Sequence, residues 1–317
     1  MDKEYLKSLL VNWLIDVADV FPEAWIAGSP ERTIRRVVIA DSEERKFVLE
    51  EIAPSAIDRK KEIAGILDDL SRGGLKQVHP CRPNRWTEVI TQYDGRFWQL
   101  REYIPGISLP RPEYLEEAWR GEALADFLLA LHETSAKTLA SPAGEAFSIV
   151  RFIADFIKKL RTYRPDILGE LSSILAYLSD AFFRIHDELP QLFCHGDYHP
   201  LNVIWSEEGI LSVIDWEFCG YKPEAYDLGL LIGCIGVEDP RALNGPLSRS
   251  LLTRIRERGI YAEASLATLP ALVMALRFAW LSEWLRKQDD EMICLELDYL
   301  ALLFHNRAAI KSAWRCL

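Results

Sequence analysis

The sequence predicts an α+β fold: an N-terminal five-stranded antiparallel sheet with one intervening helix, then a mostly helical C-terminal region. Three observations predict it. Short β-rich runs separated by turn residues fill the first hundred positions, and a single amphipathic helix interrupts them. Beyond a break rich in proline and glycine (Pro105, Gly106, Pro110, Pro112), apolar residues recur at helical spacing in six segments.

Leu6, Leu9, Leu10, Trp13, Leu14, Val17 and Val20 recur at helical spacing, which predicts one leading helix that Pro22 ends. Strands are expected at Trp25–Ala27, Ile34–Ala40 and Lys46–Ile52, with turns at Gly28-Ser29-Pro30 and at 41–44. Ala56–Leu70 reads as a helix with Ile57, Ile63, Ile66, Leu67 and Leu70 inward, closed by Gly73-Gly74. Thr87–Gln92 and Phe97–Glu102 complete the sheet around Tyr93-Asp94-Gly95. The expected parts are therefore 1–104 and 105–317. In the second, helices are expected at Glu113–Thr134, Ala146–Tyr163, Asp166–Glu188, Pro246–Glu257, Leu269–Arg286 and Glu296–Trp314. A strand pair, Val203–Trp205 and Leu211–Ile214, interrupts them.

Composition narrows the functional classes. With 317 residues, 49% of them hydrophobic, the chain can bury a substantial core. A net charge of −11 argues against a general nucleic-acid binder, which needs a basic face. The six cysteines form no CxxC pair, which suits reduced thiols. The sequence opens Met-Asp-Lys-Glu without a basic-then-apolar leader, and no uncharged apolar run reaches membrane-spanning length. The expectation is a cytoplasmic protein, monomer or homodimer, with no membrane partner.

The chemistry concentrates in one stretch, Cys194-His195-Gly196-Asp197-Tyr198-His199-Pro200-Leu201-Asn202, followed by Ile214-Asp215-Trp216-Glu217. Phosphoryl transfer needs a carboxylate to accept a hydroxyl proton and hard oxygen ligands for magnesium. Asp197 suits the first task, and Asn202 and Asp215 suit the second. Glu217 shares the Asp215 side if the strand continues, as an outer-shell or second-metal residue. His195 reads as loop structure. A zinc site on His195 and His199 is disfavoured, because Gly196 and Pro200 break the helix their spacing would need.

An N-terminal sheet, a hinge and a helical region carrying His-Gly-Asp-x4-Asn and Ile-Asp-Trp-Glu resemble the aminoglycoside phosphotransferase/choline kinase superfamily. The resemblance implies a protein-kinase-like bilobal fold, a small-molecule kinase, ATP (with GTP as the alternative) and Mg2+. It also implies that Asp227, in Tyr226-Asp227-Leu228-Gly229, braces the catalytic loop. The family places a basic residue on strand three to hold phosphates; here Phe47-Val48-Leu49 is followed by Glu50. At about 5 Å and an effective dielectric near 20, a carboxylate beside a phosphate costs on the order of 3 kcal/mol per unit charge. Lys46, with Glu62 as its helix partner, is the candidate replacement; Arg35 or Arg36 is the alternative. Ser29 and Thr33 are candidate phosphate contacts, and Glu102 and Ile104 candidate hinge contacts to the base.

The acceptor is a small molecule bearing a hydroxyl: an amino alcohol, an amino acid such as homoserine, or an aminoglycoside. Trp280, Glu283 and Trp284 are candidates for caging an amine. Arg277 is a candidate for gripping a carboxylate. Tyr198 and His199 are expected to shape the acceptor side. The competing expectation is a nucleotide-binding scaffold with a degenerate kinase fold, for which Glu50 is the best support.

Overall fold

The computed structural model describes residues 2–26, 33–140 and 147–315. Helix α1 (Lys3–Leu10) leads into strands β1 (Val17–Phe21), β2 (Arg35–Asp41) and β3 (Lys46–Ile52). Helix α2 (Ile57–Arg72) precedes β4 (Thr91–Tyr93) and β5 (Arg96–Glu102). Then come α3 (Ala118–Thr138), α4 (Ile149–Tyr163), α5 (Pro165–Glu170) and α6 (Ser172–Leu178). Four short strands follow: β6 (Gln191–Cys194), β7 (Val203–Trp205), β8 (Ile210–Val213) and β9 (Gly220–Pro223). The last helices are α7 (Tyr226–Glu238), α8 (Pro246–Arg258), α9 (Glu263–Lys287), α10 (Asp290–His305) and α11 (Arg307–Arg315).

These elements pack as two compact units. The first comprises Met1–Leu109, Glu133–Ala140 and Leu201–Phe218; the second comprises Pro110–His132, Ser141–Pro200 and Cys219–Leu317. Glu133–Ala140 and Leu201–Phe218, assigned from sequence to the 105–317 part, thus pack in the first unit.

In the first unit the sheet is five-stranded and antiparallel throughout, in the order β1-β2-β3-β5-β4. Strand alternation gives it two unlike faces. Val37, Ile39, Phe47, Leu49, Trp98 and Leu100 point to one side and pack with Leu6, Leu9 and Leu10 of α1 and with Trp13. The registers Arg36↔Glu50, Glu50↔Gln99 and Val48↔Arg101 put Arg36, Val48, Glu50, Gln99 and Arg101 on the other.

The predicted leading helix is shorter than its pattern. A single 3-10 turn (Val11–Trp13) follows α1, Leu14 takes a left-handed φ of 57°, and Val17–Phe21 becomes strand β1. The register slips between Val17 and Asp19, so Val17 and Val20 both reach the α1 side although they are three residues apart. That bulge imitates helical spacing. Trp25 and Ile26 form no strand, and Ala27 lies outside the described residues. Thr87 has a φ of 69°, so the strand predicted from it begins only at Thr91.

The β7–β8 hairpin joins the first unit through backbone hydrogen bonds. Val213 donates to the Gln77 carbonyl and Ile107 donates to the Trp205 carbonyl. Gly106 permits the second contact, since a Cβ there would lie 2.3 Å from Ile204 Cγ2 and 3.0 Å from the Trp205 carbonyl oxygen.

The second unit is built on α9, which packs against α4, α7, α10 and α11. Among the described residues α9 is the one helix long and apolar enough to cross a membrane, and 78% of its most apolar window is buried inside the protein. Helix α7 was not predicted; Leu228, Leu230, Leu231, Ile232 and Ile235 are all buried, so it lacks an amphipathic period. Nor was the β6–β9 pair, which holds Cys194 opposite Gly220. The segment read as one helix from Asp166 to Glu188 is α5, α6, a π-helical turn at Ser179–Phe183 and a 3-10 turn at His186–Glu188.

Candidate functional site

In the second unit, the segment leaving β6 is fastened to the first turn of α7. Asp227 is fully buried there, and its two carboxylate oxygens accept from the backbone N–H of His195 (2.6 Å) and of Gly196 (2.8 Å). Gly196 has a φ of 83°, a left-handed turn that suits glycine. The Asp197 N–H donates to His195 Nδ1 at 3.2 Å, so this nitrogen accepts and the proton sits on Nε2. His195 is itself fully buried. The bracing expected of Asp227 and the loop-structural reading of His195 therefore have a direct geometric form. Burial pushes the Asp227 carboxyl up to about 6, against the opposing pull of the two backbone donors and Lys222.

Asp197 is left partly exposed, with its Oδ1 3.8 Å from His199 Nε2. The His199 ring meets Trp280 edge to face at 6.3 Å. Tyr198 does not turn to an open side as expected. It is buried, stacks on Phe127 and donates to the Leu124 carbonyl of α3.

The other acceptor candidates are engaged with the protein's own groups. Arg277 is buried, donating through Nε to Glu296 Oε2 at 3.0 Å and through Nη2 to Glu296 Oε1. Its guanidinium lies over the Trp280 ring at 5.3 Å. Lys287 lies over Trp284 at 5.3 Å, and Glu283 is paired with Arg286 and Lys287. The carboxylate grip and the amine cage are thus filled from within, and Arg277 is a core ion pair.

In the first unit, the β7–β8 hairpin presents Asn202 and Asp215 just outside its paired residues, and Ile214 N–H donates to the Asn202 carbonyl at 3.0 Å. Asn202 is buried, and Asp215 holds a left-handed φ of 66°, so it follows the strand's end as a turn residue. Trp216 is buried and donates to the Val213 carbonyl at 2.9 Å.

Two recesses meet here. One is lined by Val48, Leu67, Ile204, Ile214 and Trp216, with Glu102, Tyr103 and Ile104 along it. The other is lined by Thr33, Glu50, Lys60, Gln99 and Glu217. Arg101 and Asp215 line both. Glu102 and Ile104 thus line the first recess and Thr33 the second; Ser29 lies outside the described residues.

Lys46 does not line either recess. It is exposed at the start of β3 with its ammonium 4.9 Å from the Phe21 ring centroid. Glu62 is exposed and pairs with Arg59 at 2.8 Å, so the expected Lys46–Glu62 pair is not formed. The inward charge on α2 is Lys60, in the buried set Lys60, Ile63, Ala64, Leu67 and Leu70. That i, i+3, i+4, i+7 spacing is the sequence signal that identifies it. Lys60 bonds Glu217, whose carbonyl oxygen also accepts from Arg59.

Glu50 is buried and bonded to Arg101 Nη2 at 2.5 Å. Burial raises the Glu50 carboxyl, but Arg101, Lys60 and Arg36 outweigh it and hold it below the ordinary range. Burial lowers the Arg101 guanidinium, and Glu50 more than reverses this. Glu50 is therefore a satisfied anion at this site. Arg101 was missed because its partner is on a neighbouring strand.

The sheet, the helical unit and the His-Gly-Asp loop together define a phosphotransferase of the kinase-like class. A model of the phosphotransferase enzyme family (APH) matches residues 30–267, and the chain belongs to that family of small-molecule phosphotransferases. It is 26% identical over 265 residues to a homoserine kinase of Granulibacter bethesdensis, covering 79% of each chain. The fold is shared with amicoumacin kinase hAmiN, solved with AMP-PNP, Ca2+ and amicoumacin (TM-score 0.64, 17% identity, 98% of this chain and 94% of that one). It is also shared with aminoglycoside 2'-phosphotransferase-IIIa, solved with GDP (TM-score 0.64, 15% identity, 96% and 98%).

Proposed function

We propose that the chain transfers a phosphoryl group from ATP, with Mg2+, to the hydroxyl of a small amino acid of the homoserine type. The observation that carries the reading is the Asp197 loop. Two backbone hydrogen bonds to buried Asp227 fix it, and Asp197 itself stays reachable beside His199. In this role Asp197 orients the acceptor hydroxyl and takes its proton. His199, 3.8 Å from Asp197 Oδ1, packs edge to face against Trp280.

Asn202 and Asp215 fit a magnesium site by donor chemistry. They offer hard oxygens, and no group of three or more His, Cys, Asp or Glu residues suited to a metal occurs among the described residues. Magnesium is commonly held by one or two protein carboxylates, with phosphates and water completing the shell. When bound it neutralises charge on the phosphate oxygens. The apolar recess along Glu102–Ile104 suits a purine base. The homoserine class rests on the named relative; the internal pairing of Arg277, Glu283 and Trp284 removes the carboxylate grip and the amine cage alike as arguments about the acceptor.

The test is nucleotide-diphosphate release with homoserine, threonine, amino alcohols and aminoglycosides offered separately, each with ATP and with GTP. Homoserine is expected to give the fastest turnover. Asp197→Asn is expected to lower kcat by about a hundredfold or more with nucleotide affinity nearly unchanged. Substantial turnover in that variant would remove Asp197 from the role, and an aminoglycoside as the preferred acceptor would overturn the substrate class.

A further inference from the structure

We propose that this enzyme holds the nucleotide phosphates with Lys60 of α2 and Arg101 of β5, and that Glu50 is the fixed counter-ion of that pair. The proposal rests on the kinase reading and adds the residues that bind the donor's phosphates. A strand-three glutamate looks like a defect in a phosphate site only if it is unpaired. Here it is buried and bonded to Arg101 at 2.5 Å, with Lys60 and Arg36 as further cations acting on it.

Three cations (Arg36, Lys60, Arg101) and four carboxylates (Glu50, Glu102, Asp215, Glu217) line the two recesses. Both ends of the arrangement are indicated. The apolar recess along Glu102–Ile104 takes the base; Arg101 and Asp215 belong to it and to the neighbouring recess that contains Lys60 and Thr33. A polyphosphate leaving the base recess therefore meets Arg101 first and Lys60 next. Both cations are held in place by acids: Glu50 fixes Arg101, and Glu217 holds Lys60. An ammonium carries three donors, so one contact with Glu217 does not exhaust Lys60. Lys46, the cation nearest the expected place in sequence, is exposed over Phe21 and lines neither recess.

The ratio of ATP affinity to adenosine affinity reads the phosphate contacts alone. It would be measured by calorimetry with magnesium on the full chain and four variants: Lys60→Gln, Lys60→Arg, Lys46→Ala, and the double change Glu50→Gln with Arg101→Met. The double change avoids leaving a buried carboxylate without its partner, and Lys60→Arg tests rescue by charge. A ratio within one protein cancels any loss of folded fraction. Lys60→Gln and the double variant are each expected to reduce the ratio about tenfold or more, some 1.4 kcal/mol per tenfold. Lys46→Ala should keep the wild-type ratio, and Lys60→Arg should restore most of it. Unchanged ratios in Lys60→Gln and the double variant, or a collapse in Lys46→Ala, overturn the inference while leaving the kinase reading standing. Wild-type protein that binds neither ATP nor GTP overturns both.

Discussion

The two faces of the five-stranded sheet are built from the same three central strands and differ in almost everything else. One carries Val37, Ile39, Phe47, Leu49, Trp98 and Leu100 against α1. The other carries Arg36, Glu50, Gln99 and Arg101. The apolar face needs only shape and area to be stable. Burying a charge costs several kcal/mol unless it is paired and hydrogen-bonded, and even then an apolar replacement is often as stable. A chain that buries Glu50 and Lys60 where Leu or Met would hold the fold equally well points to a use for charge on that face.

The largest expected effect breaks the contrast from the charged side. Arg101→Met leaves the Glu50 carboxylate buried without its bonded partner, and urea unfolding should show a loss of about 3–5 kcal/mol. Adding Glu50→Leu makes the charged face resemble the apolar one and should return most of that loss. If the double variant is no more stable than Arg101→Met, the pair is contributing something besides mutual compensation.

A second comparison sets this sheet against the loop fastened by Asp227. There the buried carboxyl is compensated by backbone donors rather than by a bonded arginine, and burial still wins, raising it to about 6. The sign follows from linkage. A raised folded-state value means the native protein prefers the protonated form, so this contribution is fully present below the ordinary value near 4 and is lost as pH rises to about 6. A shift of this size is on the order of 3 kcal/mol over that window. Asp227→Asn does not titrate, so the stability of wild type relative to this variant should fall between pH 4 and 6 and be level above pH 7. A flat difference across that range would mean that Asp227 titrates alike in the folded and unfolded states, without the upward shift.

The contrast also explains what the sequence disclosed. The His195–Asn202 segment was legible because its residue types sit in one short motif with a left-handed glycine, although the buried acid that braces it, Asp227, lies 32 residues beyond His195. Strands β2, β3 and β5 and helix α2 were legible from alternation and helical period. Strand β1 was not, because the slip at Val17–Asp19 gives a strand the spacing of a helix. Helix α7 was not, because it is apolar around much of its circumference. On α2 the reading of Glu62 as the inward partner of Lys46 followed its place beside Ile63 and Ile66. The spacing of Lys60 with Ile63 and Leu67 says otherwise, and the carboxylate of Glu217, 157 residues away, compensates a buried lysine there. The bond between Glu50 and Arg101 is likewise a cross-strand fact, invisible until β3 and β5 are paired.

The smallest expected effect sharpens the comparison at the edge of the charged face. Lys46 shares the β3 alternation with Val48 and Glu50, yet it is exposed at the strand's first position, and its ammonium lies 4.9 Å from the Phe21 ring centroid. An exposed cation–π contact contributes about 0.5–1 kcal/mol. Lys46→Ala should therefore lower stability by no more than about 1 kcal/mol in urea unfolding, and Phe21→Leu should abolish that increment. The two lysines then separate by environment: Lys60 lies buried against an acid, and its loss should cost several times more than that of Lys46. Equal losses would mean that the Lys60–Glu217 contact is no stronger than a surface pair, and the charged face would have to be stabilised by Glu50 and Arg101 alone.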